Sequence, residues 1–465
     1  MNASNKAVQM ALRAGFSYVE KDPEKRLKKI IDLVDRFAPA GEKGFPVQRA
    51  AFRKFIEDKD NNMHKLILRL FEETDPDVLS AIFDNFIVNG NLVGWPMQNE
   101  NMEKYGCNIP WAILMDPTSA CNLHCTGCWA AEYGNKLNLS FDELDSVITQ
   151  GKELGCYIYI YTGGEPLVRK DDILKLCRKH NDCQFLCFTN ATLIDEDFAN
   201  AMLEVKNFMP AISLEGFEMA TDGRRGQGVY QKVIKAMSLL KEKRLPFGIS
   251  ACYTSANVDS IASEEFMDQI IDLGAAFIWY FHYMPIGNDA APELLPNPEQ
   301  REYMFHRIRE IRETKAIFPM DFQNDGEFVQ GCIAGGRRYF HINANGDCDP
   351  CVFIHYSNAN IRKNTLLEVL KSPIFMAYHD GQPFNDNHLR PCPMLENPQL
   401  LKEMVEKTGA HSTDLQSPES VEHLCEKCEL YAEHWKPMSE KLWAARQQEK
   451  AEQQAAARKA VGLDQ

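Results

Sequence analysis

The chain begins with apolar residues at helical spacing. In RLKKIIDLVDRF (26–37) and HKLILRLFEET (64–74) they recur at steps of three and four, and Ala38-Pro39 and Gly44-Phe45-Pro46 break the pattern. Residues 1–105 therefore predict a helical N-terminal segment, read as a cap on a larger domain, with a substrate- or partner-binding role as the other reading. From Pro110 the period changes. Short apolar runs at 112–115, 156–161, 185–188, 211–214, 247–253 and 277–283 alternate with helical stretches such as 229–243. Ser140 and Glu143 form a capping box ahead of the first of these helices. Six βα units in series need a helix for each crossover and so imply a parallel sheet. Six units are too few to close an eight-fold barrel, which predicts an α/β fold with a partial (β/α)6 TIM-like barrel over residues 106–290. Its active site belongs at the C-terminal ends of the strands.

Beyond the barrel the reading is coarser. Residues 291–330 predict a Pro-rich, acidic linker and a helix, 331–441 a cysteine-rich α+β extension, and 442–465 a helical or disordered tail. YFHINANGDCDPC reads as a hairpin turning at Asn345-Gly346.

Composition then narrows the function classes. Apolar residues make up 45% of the chain, enough for a sizeable core, yet no run of roughly 18 apolar residues appears, so no transmembrane segment is expected. The N-terminus has no apolar signal region, which points to the cytoplasm. A net charge of -15 argues against nucleic acid as a partner. Fifteen cysteines in a reducing compartment point to metal or redox chemistry instead of disulfides. Six of them, Cys107, Cys156, Cys177, Cys183, Cys187 and Cys252, are scattered and read as small buried apolar residues.

Two motifs carry chemistry. Cys121, Cys125 and Cys128 follow the first strand with C-x3-C-x2-C spacing; three thiolates can hold three corners of a [4Fe–4S] cubane and leave its fourth iron open to a ligand. Structural zinc, with His124 or Cys428 as fourth ligand, is the alternative. The second strand ends in Gly163-Gly164-Glu165-Pro166, where two glycines allow close backbone approach, a carboxylate can accept from an ammonium, and the proline stiffens the turn. Tyr280 and His282 share one face of the last strand and are candidates to enter the barrel mouth, with core roles equally open. Asp321, Gln323 and Asp325 are candidates of the same kind, with a solvated loop as the plainer reading.

CxxxCxxC followed by GGEP resembles the radical S-adenosylmethionine (radical SAM) superfamily over about residues 110–286. The resemblance implies that Cys121, Cys125 and Cys128 ligate the cluster, whose open iron is chelated by the amino and carboxylate groups of S-adenosylmethionine. It implies that Gly163, Gly164 and Glu165 hold the amino group and that Trp129 lies near the adenine. Thr189-Asn190-Ala191 stands where many members have Thr-Asn-Gly, and the alanine departs from that pattern. Ser213 and Arg225 fall in segments that make them candidates for the carboxylate and ribose. The implied reaction is reductive cleavage of S-adenosylmethionine to a 5′-deoxyadenosyl radical, which abstracts a substrate hydrogen, with a flavodoxin or ferredoxin as electron donor.

Cys332-x13-Gly346-x4-Cys351 resembles the SPASM and twitch extensions of the same superfamily, which carry auxiliary [4Fe–4S] clusters. A full SPASM cysteine run is absent, and Cys332, Cys351, Cys392, Cys425 and Cys428 suffice for one auxiliary cluster, zinc being the alternative. Cys348 lies one residue off the ligand spacing and reads as structural. The substrate implied is a peptide or protein, or a lipid-like molecule. A non-catalytic iron–sulfur electron carrier, a redox sensor or a zinc-stabilised scaffold competes, and the GGEP turn speaks against each.

Overall fold

The computed structural model describes residues 3–37 and 46–460. The breaks at Ala38-Pro39 and Gly44-Phe45 lie outside the described residues. On either side of them helices span Pro23–Phe37 and Pro46–Glu57, and Asn62–Glu73 follows; Asn61 caps this last helix by accepting from the Met63 and His64 amides. A π-helical stretch at Phe83–Val93 and a helix at Gly94–Tyr105 complete the N-terminal layer. Asn85 donates to the carbonyls of Asn181 and Cys183, and Gln98 to that of Gly155, which fastens this layer to the outer loops of the next.

The centre is one open sheet. Its strands are β1 (Ala112–Met115), β2 (Ile158–Tyr161), β3 (Gln184–Thr189), β4 (Phe208–Ser213), β5 (Phe247–Tyr253) and β6 (Ala275–His282), then β7 (Phe318–Asp321), β8 (Tyr339–Ile342) and the short β9 (Cys348–Asp349). The order β7-β6-β5-β4-β3-β2-β1-β8-β9 is parallel throughout except between β8 and β9. The six strands read from the sequence are therefore the middle of a wider sheet. β7 arises in the stretch read as linker and helix. β8 pairs in parallel with β1, so the extension shares the barrel's own sheet. β7 continues the βα repeat, after β6 and the helix Pro298–Thr314, but is only four residues long; β8 pairs with β1 across the chain, which periodicity alone does not reveal.

Other local expectations are met with small shifts. The capping box at Ser140 and Glu143 opens the helix Phe141–Leu154, and Val229–Glu242 forms the helix expected there. The hairpin forms between β8 and β9, with Ile342 opposite Cys348. The C-terminal residues form a helix, Val421–Ala460, whose first half packs Trp435, Tyr431 and Leu442 into the core.

Candidate functional site

The loop after β1 is built to present its three cysteines. Gly164 and Glu165 donate their amides to the carbonyls of Thr118 and Ala120, so the turn after β2 clamps the chain just ahead of Cys121. A Cβ on Gly164 would come within 2.3 Å of the Ala120 carbonyl, and one on Gly163, at φ +107°, within 2.7 Å of Asp116. These glycines are thus required by the neighbouring backbone, a different reason from the ligand approach read from the sequence. On the far side Thr126 and Arg224 exchange hydrogen bonds, Thr126 N–H donating to the Arg224 carbonyl and Arg224 Nε to the Thr126 carbonyl.

Cys121, Cys125 and Cys128 line one cavity of about 220 Å3 at the C-terminal ends of the strands, with Trp129, Gly163, Gly164, Glu165, Asn190, Ser213 and Arg225 around it. Every cofactor residue read from the sequence except Pro166 faces this space; Pro166 is buried behind the turn, where it starts a 3-10 helix. Burial first, then the neighbouring carboxylate and thiols, pushes the Cys121 thiol up to about 11. Three thiolates here repel one another and call for a cation among them. Among the described residues no three His, Cys, Asp or Glu side chains are drawn in tightly enough to hold a metal ion. The three thiols line a cavity together with the Gly163–Glu165 turn.

Glu165 is fully buried and fixed by three donors. Its Oε1 accepts from the Leu167 amide (3.0 Å) and Thr189 Oγ1 (2.7 Å), and its Oε2 from the Asn190 amide (2.7 Å). Burial raises its pKa although these bonds favour the charge. Asn190 also donates its side-chain amide to Asn122 in the cysteine loop. Ala191 takes φ +59°, the left-handed conformation that glycine adopts freely, so the departure at this position leaves the turn intact under strain.

Arg225 does not reach the cavity as a free cation. Its guanidinium holds Glu215 at 2.5 Å, and Arg224 holds the same carboxylate at 2.7 Å, all largely buried. Arg224 and Cys252 also line the cavity. Sequence reading missed Arg224 and placed Cys252 in the core, because nothing in the pattern distinguishes Cys252 on β5 from the five fully buried cysteines.

Of the two β6 candidates, His282 at the strand's end lines the cavity and Tyr280 does not. Trp279 and Phe281 project over the cavity, whereas Tyr280 donates to the Ile261 carbonyl behind the sheet. His282 Nε2 lies 2.8 Å from Tyr431 Oη, in a buried structural contact. Asp321 and Gln323 are buried rather than solvated: Asp321 accepts from the amides of Gln323 and Asn324, and Asp325 pairs with Arg312 at 2.8 Å.

Cys332, Cys351 and Cys392 converge on a second cavity of about 430 Å3. Tyr339 Oη lies 2.8 Å from Cys351 Sγ. Cys392 is held by its own amide, which donates to Glu396, and Glu396 forms a fully buried 2.7 Å ion pair with Arg301. Arg301 also donates to Tyr431, Asn324 and the Leu389 carbonyl, and so joins the turn after β7, the C-terminal helix and the cysteine loop. Cys425 and Cys428 stand apart from this cavity, one turn from each other on the C-terminal helix, where Cys425 donates to the Pro398 carbonyl. Their C-x2-C spacing on a helix brings them to each other instead of to the distant three. Cys348 is buried at the hairpin, as its off-register spacing suggested.

Behind Trp129 lies a buried polar cluster. His341 sits 2.9 Å from Asp116 and 3.3 Å from Asp349, as close ion-pair contacts without aligned hydrogen bonds. Burial opposes its charge, but the two carboxylates outweigh this and raise it to about 9. Tyr133 donates to Asp349, and its ring stacks on His355. Trp129 meets His341, His355 and Phe353 edge-on.

Comparison with known proteins agrees with this geometry. Residues 115–255 match the radical SAM superfamily, and residues 332–394 match an iron–sulfur cluster-binding domain. The chain is 24% identical over 291 residues to an AdoMet-dependent heme synthase of Methanosarcina barkeri, covering 56% of this chain and 82% of that protein. It is 25% identical over 258 residues to a PqqA peptide cyclase of Granulibacter bethesdensis, covering 52% and 67%. Among solved structures, Streptococcus suis SuiB bound to its precursor peptide SuiA superposes with a TM-score of 0.55 at 18% identity, over 72% of this chain and 79% of that one; the likeness is one of fold. The first match brings a [4Fe–4S] cluster and S-adenosylmethionine, and the second an auxiliary iron–sulfur cluster.

Proposed function

We infer that this chain, an enzyme built from a radical SAM domain and an iron–sulfur cluster-binding extension, cleaves S-adenosylmethionine and takes a hydrogen atom from an unactivated carbon of its substrate. The observation that carries this reading is the convergence of the three-cysteine loop, the Gly163–Glu165 turn, Ser213 and Arg225 on one cavity. The cluster, when bound, supplies the electron that releases a 5′-deoxyadenosyl radical from S-adenosylmethionine.

The protein's own part is to hold and to exclude. Cys121, Cys125 and Cys128 bind three irons. Glu165, immobilised by Thr189 and two amides, accepts from the ammonium of S-adenosylmethionine, beside the Gly163–Gly164 backbone. Arg225, fixed by Glu215, offers its remaining donors to the carboxylate, Ser213 offers its hydroxyl to the ribose, and Trp129 packs by the adenine. Phe188, Trp279 and Phe281 shield the reacting carbon from water. Cys332, Cys351 and Cys392 would hold the auxiliary cluster, which would supply an electron acceptor near the substrate.

A peptide substrate is supported by the names of two relatives. A flavodoxin or ferredoxin is the donor this reading requires. The free state of all fifteen cysteines supports a cytoplasmic setting. Among the described residues no helix is long and apolar enough to cross a membrane. The test is anaerobic reconstitution of the full chain, followed by dithionite and S-adenosylmethionine. Formation of 5′-deoxyadenosine is expected; its absence at full cluster content overturns the reading.

A further inference from the structure

Hydrogen donors gather at the sulfurs of the auxiliary site. The amides of Met394 and Leu395 each donate to Cys392 Sγ at 3.4 Å, and Tyr339 Oη lies 2.8 Å from Cys351 Sγ. As an iron-bound thiolate Cys351 has no proton to give, so the Tyr339 hydroxyl is the donor of that pair. Tyr378 brings a second phenol. It lines the same cavity as Cys332, Cys351 and Cys392, it is fully buried, and its hydroxyl has no hydrogen-bond partner among the described residues. A buried hydroxyl left unpaired is costly, and folded proteins keep few of them. The sulfurs of a cluster held by these three cysteines are acceptors on the wall it shares.

Both rings are held in place. Tyr378 stands on the helix Pro373–Gly381 and meets Phe384 edge-on at 5.1 Å. It also abuts Gly335, where a Cβ, at φ +63°, would come within 2.4 Å of Tyr378 Cβ. The Gly335 amide donates to the Pro350 carbonyl, beside Cys351, so this glycine ties the tyrosine to the ligand loop. Tyr339 stands on β8 with its ring edge-on to Phe322 at 6.0 Å, and it lines the first cavity as well.

The rest of the wall decides what two hydroxyls can do. Reduction adds one negative charge to the cluster, and an apolar surrounding disfavours it. Of the charged groups in the wall, Arg312 is paired with Asp325 at 2.8 Å and Asp321 is an acid, so none offsets the added charge. A hydrogen bond to sulfur does so, because it is stronger in the state whose sulfurs carry more charge.

We propose that the Tyr339 and Tyr378 hydroxyls donate to sulfurs of the auxiliary cluster and raise its reduction potential, which favours its role as electron acceptor. The cluster gains one electron, and no bond is made or broken. The inference rests on the function proposed above and deepens it, by naming what tunes the auxiliary site.

The test is a potentiometric titration of the full chain, reconstituted anaerobically and followed by electron paramagnetic resonance of the [4Fe–4S]+ state. Cys125→Ala, present in every sample, confines iron and signal to the auxiliary site. In that background Tyr339→Phe and Tyr378→Phe should each keep about four irons per chain. Each should lower the ratio of reduced to oxidised cluster at a fixed potential roughly tenfold, which is about 59 mV for one electron. Tyr356→Phe, whose hydroxyl donates to the Glu419 carbonyl away from this cavity, should leave the potential unchanged. A potential that either of the first two variants leaves unmoved or raises overturns the inference, and so does an equal fall in Tyr356→Phe. Loss of iron from Tyr378→Phe would make the phenol a ligand and overturns its assignment as a donor. A background protein without iron overturns the underlying reading too, whereas a cluster present at an unmoved potential overturns this inference alone.

Discussion

The two cysteine sites are built in opposite ways. Cys121, Cys125 and Cys128 lie within eight residues, on one loop after β1, clamped by the glycine turn after β2. Cys332, Cys351 and Cys392 are spread over sixty-one residues and come together only because β8 joins β1 and a buried Arg301–Glu396 pair anchors the Cys392 loop. The first site is a local motif; the second is a product of tertiary structure. Their surroundings differ to match, with charged and hydrogen-bonding side chains around the first and apolar walls around the second. A site that must bind the amino and carboxylate groups of S-adenosylmethionine needs fixed donors and acceptors.

The largest expected effect tests the local motif. Cys125→Ala should reduce 5′-deoxyadenosine to background and lower the iron content by about four per chain. The same substitution at Cys392 should also remove about four irons but leave S-adenosylmethionine cleavage measurable. Replacing Cys425 and Cys428 together by alanine should leave the iron content unaltered, and a loss of four irons there would place the pair among the ligands. Both experiments read iron by colorimetric assay and product by liquid chromatography.

The supporting structure of the second site is the next target. Glu396→Gln leaves the Arg301 charge fully buried without its partner, which costs about 3–5 kcal/mol and lowers the urea midpoint accordingly. The polar cluster behind Trp129 should show itself through pH. The folded pKa of His341 is raised to about 9 against roughly 6.5 unfolded, so its contribution is full below about pH 6.5 and is lost as pH rises through 9. The urea midpoint of the wild type should fall over that window more steeply than that of His341→Gln. The smallest effect is expected at Ala191, whose φ of +59° glycine adopts without strain; Ala191→Gly should raise stability by about 1 kcal/mol in the same assay.

The same contrast explains what the sequence made legible. The cluster loop, the Gly163–Pro166 turn and six strands could be read because each is set by residues near one another in the chain. Ser213, Asn190 and Trp129 came from the resemblance to the radical SAM superfamily, and all three line the first cavity. Less could be read where distant segments meet. β7 is a four-residue strand beside the preceding β6, too short to stand out, and β8 is a four-residue strand whose partner, β1, lies more than two hundred residues away. Arg224 differs from Arg225 by one position, and both serve Glu215. Alternation gives Tyr280 and His282 one face, but tertiary packing separates them: Tyr280 bonds the Ile261 carbonyl behind the sheet, while His282 meets Tyr431 and lines the cavity. Five cysteines were available to the auxiliary site, and the fold brings three of them to its cavity.

The central claim is that the two sites hold clusters of different kinds, one of which meets S-adenosylmethionine. Electron paramagnetic resonance of the dithionite-reduced full chain, with and without S-adenosylmethionine, tests it most directly. The account predicts two [4Fe–4S]+ signals, of which one shifts on adding S-adenosylmethionine and disappears in Cys125→Ala, while the other does not shift and disappears in Cys392→Ala. A single signal that persists unchanged in Cys392→Ala, at about four irons per chain, would contradict it.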